Sequence, residues 1–347
     1  MNRCLTIAAS GARRLALLWR ALALAAACLL LAPQDARADS CSATMTDVVF
    51  TGVSPVSGND YYASGVLSVT CTWTALTGVP PLLLFPNVAV CASLGAGSGG
   101  GAGNPRWMTN GSAQLPFNLY TDNTYAAASI WGGNGLAASA NGFKASMGGL
   151  LALGAITRSF TVYGKIPGNA LAGVRTVAGA DTLYTASFAG AGLLSYAFYG
   201  SVPAPCTAGA TAAFAFQAKA TVVNNCLINT SNLAFGANSL LRGTVRASAA
   251  INVQCTANDA YQVLLGGLGG AVLGRKMTNA VTGDTVAYTI STTPNGPPWG
   301  DGANGTAVYS GTGTGAVQAI MMYGAVPAQA TPRPGDYKDS VIATLVF

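Results

Sequence analysis

The sequence contains no histidine and no glutamate, and only 8% of its residues are charged. These absences remove most of the side chains that carry enzyme chemistry. Ser-His-Asp and Cys-His systems need an imidazole base. An acid–base pair would have to be built from aspartates alone, and these show no paired motif. Only an Asp- or Lys-based enzyme stays formally open, so the chain reads as a non-enzyme. No C-x-x-C pair occurs, which with no histidine argues against a zinc site; no metal and no cofactor is expected. Gly95 to Gly103 has the composition of a G-x-G-x-x-G loop without a βαβ context, and reads as a flexible loop. Asp301-Gly302-Ala303-Asn304-Gly305 lacks the Glu that completes a calcium loop and reads as a turn.

Long apolar runs are equally scarce. Ala21 to Ala32 is entirely apolar but spans twelve residues, short of the roughly 20 that a membrane helix needs. Arg3, Arg13, Arg14 and Arg20 precede it and Ala36-Arg37-Ala38 follows, the arrangement of a secretion signal over residues 1–38. Direct membrane insertion is not expected. The full chain carries 17 Lys and Arg against 11 Asp; five and one of these leave with the signal. The remaining near-neutral balance gives no electrostatic case for nucleic acid.

What is abundant is glycine, alanine, serine and threonine in short alternating stretches, which suits strands and turns. The exported chain keeps six cysteines, Cys41, Cys71, Cys91, Cys206, Cys226 and Cys255, an even number that suggests disulfides. One script runs twice. Phe50 and Phe235 each lie nine residues beyond Cys41 and Cys226, and the next cysteines, Cys71 and Cys255, end alternating stretches. Arg106-Trp107-Met108 answers to Arg275-Lys276-Met277, Trp131-Gly132 to Trp299-Gly300, and Tyr163-Gly164 to Tyr323-Gly324, each at closely similar spacing. The expectation is a duplicated all-β domain, residues 39–205 and 206–347, with the boundary near Pro203 to Thr207. Short strands in domains of this size favour sandwiches, with a barrel left open. Paired strands each carrying a cysteine imply Cys41–Cys71 and Cys226–Cys255 bridges. Cys91 and Cys206 remain as candidates for a third, a pairing the sequence leaves open.

The second half resembles the spore coat protein U domain, which is also the pilin domain of Csu-type archaic chaperone–usher pili. The resemblance covers 210–347 and rests on the lead-in Phe214 to Val223, Cys226, Leu233-Ala234-Phe235-Gly236, Ile251 to Thr256, Arg275-Lys276-Met277, Tyr323-Gly324 and Pro334-Gly335-Asp336-Tyr337-Lys338-Asp339. The first half is a weaker copy, with Gly179 to Leu183 where the terminal motif should stand. Membership implies two immunoglobulin-like sandwiches in tandem, the second a pilin domain lacking its last strand. A two-domain member resembles a pilus tip adhesin, whose partners are a periplasmic chaperone, an outer-membrane usher and the adjacent pilin subunit.

Two features fit that expectation. Ser340 to Phe347 is strand-like with no turn after it, so either it closes a complete sheet or Val341, Ala343, Leu345 and Phe347 edge an open donor-strand groove. Only Asp39 and Ser40 stand between the signal and Cys41, leaving no N-terminal strand to donate, which places the chain at the distal end of a pilus. The strand with Phe214, Phe216, Ala218 and Val222 is expected to join the domains; the first is closed either by it or by Leu193 to Tyr199. Compared with the second, the first domain carries extra apolar residues, Pro80, Leu82, Leu83, Leu84 and Phe85, then Leu150, Leu151 and Leu153. They are expected in exposed loops that stick to apolar or host surfaces in biofilm formation, with Leu82 to Phe85 alternatively a core strand. The competing functions are a structural coat or matrix protein and a secreted carbohydrate-binding module. The tryptophans stand mostly at repeated landmarks and are expected in the core.

Overall fold

The computed structural model describes residues 39–73, 87–136, 139–148, 154–177, 180–200, 202, 205–267 and 273–347. Twelve strands form the first packed unit: β1 (Ser40–Met45), β2 (Val48–Val53), β3 (Tyr61–Trp73), β4 (Asn87–Leu94), β5 (Arg106–Asn110), β6 (Ala113–Tyr120), β7 (Phe143–Gly148), β8 (Gly154–Ile166), β9 (Thr182–Ser187), β10 (Gly192–Tyr199), β11 (Ala210–Phe214) and β12 (Gln217–Val222). Nine form the second: β13 (Cys226–Thr230), β14 (Val245–Cys255), β15 (Ala260–Gly267), β16 (Lys276–Thr278), β17 (Thr285–Ala287), β18 (Thr289–Ser291), β19 (Tyr309–Thr312), β20 (Gln318–Val326) and β21 (Val341–Val346). Among the described residues no helix is long and apolar enough to cross a membrane.

Each unit is a sandwich. In the first, an eight-stranded sheet ordered β1-β3-β8-β6-β5-β9-β12-β2 faces a four-stranded sheet ordered β11-β10-β4-β7. In the second, β13-β14-β20-β18 faces β19-β15-β21. Alternation decides which side chains enter: in β3, Leu67, Val69 and Cys71 are buried while Tyr62, Val66 and Thr72 point outward. The disulfides join Cys41 to Cys71, Cys226 to Cys255 and Cys91 to Cys206. The first two connect residues directly opposite in the β1–β3 and β13–β14 ladders.

The repeated landmarks are packing solutions used twice. Gly164 and Gly324 leave room for Phe50 and Phe235: a Cβ at either glycine would lie 2.7 and 2.8 Å from the phenylalanine ring. Trp131 and Trp299 are fully buried and donate their indole N–H to the Ala92 and Val263 carbonyls at 2.9 and 2.8 Å. Arg106 and Arg275 are buried forks. Arg106 donates to the Gly95 carbonyl (3.1 Å), Asn118 Oδ1 (2.7 Å) and the Trp131 carbonyl, and burial pushes its guanidinium down to about 10. Arg275 serves the Leu265 and Gly266 carbonyls.

The glycine run departs from expectation. It is pinned: Gly95 N–H donates to the Ala191 carbonyl, and Ser98 exchanges hydrogen bonds with the Ser187 backbone, all within 2.9 Å. Glycine is required here by left-handed backbone at Gly97 and Gly103, where a side chain would also strike Phe188 and Leu136. Composition signalled freedom; packing against the β9–β10 corner removes it.

Candidate functional site

The strand leading into the second repeat is shared between the two sheets of the first unit. It runs antiparallel beside the whole β9–β10 segment, β11 against β10 and β12 against β9. On its other side β12 lies parallel to β2. Phe214, Phe216, Ala218 and Val222 are all buried in the first core, with Phe216 stacked on Phe188 at 4.5 Å between ring centroids. Asp47 fastens it, accepting from Lys219 Nζ (2.6 Å) and Gln217 N–H (2.8 Å), two contacts that hold its carboxyl below the usual range. Of the two closing strands left open by the sequence, both take part: β10 is the inner neighbour and β11–β12 covers it. The first packed unit therefore extends to Val222, beyond the 205/206 division of the sequence repeats.

Among the described residues the second unit has the same walls and no such strand. β21 corresponds to β10, since Leu345 opposes Val263 as Leu194 opposes Ala92, the two carbonyl partners of the repeated tryptophans. β10 continues into the pairing with β11, whereas among the described residues no strand lies beyond β21. A groove of 1320 Å³ opens there between the two sheets. Ile251, Leu265, Tyr288, Ile290 and Met322 line its floor, with 233–239 along one rim and 333–339 plus Val341 and Ala343 along the other. Such a volume exceeds the roughly 300–1,000 Å³ of small-molecule pockets. Exposure records the difference. Phe50 is 1% exposed and Leu194 fully buried, while their counterparts Phe235 and Leu345 are only half-buried and Phe347 is 52% exposed. Tyr288 Oη donates to Asp339 at 2.6 Å, and burial together with that carboxylate raises its phenol, so the terminal motif braces the rim. The floor residues Leu265, Tyr288, Ile290 and Met322 escaped the sequence reading because alternation marks a buried face without telling whether anything covers it.

The candidate adhesive residues Pro80, Leu82, Leu83, Leu84, Phe85, Leu150, Leu151 and Leu153 lie outside the described residues. Their roots are described. β3 pairs with β8 through Trp73–Gly154, and β4 pairs with β7 through Asn87–Gly148 and with β10 through Asn87–Tyr199. Segments 74–86 and 149–153 thus spring from one end of the first sandwich. The other end meets the second unit: Asn225 donates to Ser54 Oγ (2.8 Å), Asn258 to the Thr176 carbonyl (3.3 Å), and Tyr61 Oη receives the Ser54 N–H (2.8 Å). From Tyr61 to Trp73 the twelve steps of β3 cover about 40 Å at the extended rise.

The Spore Coat Protein U domain matches residues 26–204 and again 212–344, a break that falls just ahead of the shared strand. No curated protein matches the chain. Among solved structures it is similar to the CsuC–CsuE chaperone–tip adhesion subunit pre-assembly complex from archaic chaperone–usher Csu pili of Acinetobacter baumannii, at 15% identity over 89% of this chain and 100% of that one, with a TM-score of 0.48. It is also similar to the CupB6 tip adhesin of Pseudomonas aeruginosa, at 10% identity over 89% and 95% of the two chains, with a TM-score of 0.35.

Proposed function

This chain belongs to the Spore Coat Protein U domain family, and we propose from that premise that it is the tip adhesin of a chaperone–usher pilus. Its second domain accepts a donor strand from the adjacent pilin subunit. Its first domain, complete through its own β11–β12, points away from the pilus and attaches the cell to surfaces. One observation carries the reading: two copies of one sandwich differ in that the first holds a strand where the second holds a groove. The first copy also supports the form of the occupant, an extended segment antiparallel to β21 with alternate apolar side chains facing the floor. During export the exposed groove needs a periplasmic chaperone, and assembly needs an outer-membrane usher.

The shared origin of segments 74–86 and 149–153 at the end opposite the interdomain joint supports an adhesive tip made of apolar loops. Burying even 200 Å² of apolar surface there is worth roughly 5 kcal/mol before binding costs, and many tips acting together multiply it. The test is a variant with Leu83, Leu84, Leu150 and Leu151 replaced by serine. Attachment to polystyrene should fall at least about tenfold with pilus number and melting temperature unchanged. Normal attachment by intact pili would sink the adhesive-loop reading.

A further inference from the structure

The outer face of the first domain's larger sheet carries an aromatic cluster that neither the groove nor the loops use. Tyr62, 54% exposed, stands opposite Lys165 in the β3–β8 ladder. Tyr125, from the 121–129 connection, brings its ring to 4.8 Å from Tyr62, 5.4 Å from Tyr120 and 6.3 Å from Tyr163. The Lys165 ammonium lies 5.7 Å from the Tyr62 ring centroid and pairs with Asp60 at 2.7 Å, and the Tyr62 hydroxyl donates to the same carboxylate at 3.3 Å.

The second domain shows what this place looks like without the cluster. Arg246, opposite Ala325, takes the position of Tyr62, and the corresponding 292–297 connection turns through Asn295 at φ 60°. Arg246 Nη1 donates to Asn295 Oδ1 at 2.6 Å. Asparagine accepts left-handed backbone readily. Tyr125 holds φ 54°, where a bulky residue is an outlier. The turn therefore does not require a tyrosine, and the first domain keeps one against its backbone preference. Residues held this way concentrate at ligand sites.

The same face continues along β1, β3 and β8 as rungs of hydroxyls. Thr44 opposes Ser68 and Ser68 opposes Ser159; Ser42 opposes Thr70 and Thr70 opposes Thr157. The Ser68–Ser159 and Thr70–Thr157 hydroxyls are hydrogen-bonded at 3.2 and 2.7 Å. We propose that this face is a binding platform for a neutral glycan, with a sugar ring seated on Tyr62 and Tyr125 and the chain running along the hydroxyl rungs. A pyranose offers an apolar C–H face that stacks on an aromatic ring and an edge of hydroxyls that both donate and accept. Asp60 accepts from such an edge and Lys165 donates to it. Because these two charges neutralise each other, the face has no field to draw a polyanion, and the hydroxyl rungs do not suit a purely apolar surface.

Affinity electrophoresis tests this with the exported chain in native gels containing dissolved mannan, dextran or hydroxyethylcellulose. At least one of the three should retard the wild type about twofold or more. The double variant Tyr62→Arg/Tyr125→Asn, which installs the second domain's own pair, should migrate as in a polymer-free gel, with a melting temperature equal or higher. Tyr125→Phe should retain retardation. The four-leucine serine variant should also remain retarded, separating this site from the adhesive loops. The proposal is overturned if none of the three polymers retards the wild type, if the double variant is retarded equally, or if only dextran sulfate has an effect.

Discussion

Replacing Phe216 with alanine should unfold the first domain earlier, although the residue stands in the segment that reads by sequence as the start of the second repeat. Its ring is 5% exposed, stacked on Phe188 at 4.5 Å and on Trp131 at 6.2 Å. Disulfide-linked walls around the ring leave little room for collapse, so the loss belongs to the usual range for buried phenylalanine, about 3–5 kcal/mol. Stacking accounts for about 1 kcal/mol of it. In a domain of this size each kcal/mol moves the melting temperature by roughly 2–4 °C, which gives a fall of roughly 6–20 °C. Calorimetry should show the first transition move alone, and hydrogen exchange should report the loss along β9 and β10 while β14 and β20 keep their protection. The outward neighbour Ala215→Ser should change stability by no more than about 0.5 kcal/mol. A first-domain transition that stays in place while the second falls would refute the assignment of β11–β12 to the first core.

Arg106→Met leaves the Gly95 and Trp131 carbonyls and Asn118 without their buried donor, and should cost about 3–5 kcal/mol in urea unfolding. Arg106→Lys should recover little, because a single ammonium cannot replace a three-way fork; full recovery would contradict this role. Asp47→Asn should cost less than about 1 kcal/mol at pH 7, since the paired Lys219 and Asp47 side chains are 33% and 37% exposed. The folded carboxyl titrates below its unfolded value, so its contribution is present above about pH 4 and disappears as pH falls through the lower, folded value. The gap between the urea midpoints of variant and wild type should narrow as pH falls below about 4, and a constant gap would contradict the linkage.

Much of this architecture is readable in the residues themselves. The paired spacings of Phe50 with Gly164 and of Phe235 with Gly324 report one physical fit made twice, and the alternating stretches ending at Cys71 and Cys255 report strands facing β1 and β13. Period-two patterns identify strands and not their neighbours. Phe214, Phe216, Ala218 and Val222 keep one rhythm straight through the change from β11 to β12, so nothing in the pattern shows the strand crossing between sheets or belonging to the earlier core. The groove was legible only as an alternative, because Val341 to Leu345 alternate whether or not a strand covers them. Tyr62 and Tyr125 are far apart in the chain, and only the fold joins them. Composition misled at Gly95 to Gly103, where close packing against Phe188 and Leu136 explains the glycines better than mobility does.

The central claim is that the second domain lacks one strand that a neighbour supplies. It is tested most directly by thermal unfolding of the exported chain with a second copy of Ala212–Val223 attached after Phe347 through a flexible linker. The linker lets the copy return antiparallel to β21, as β11 does to β10. A rise of roughly 10 °C or more in the second domain's transition, with the first unchanged and hydrogen exchange along β21 slowed, is the predicted result. An unchanged second transition, with β21 exchanging as before, would contradict the account.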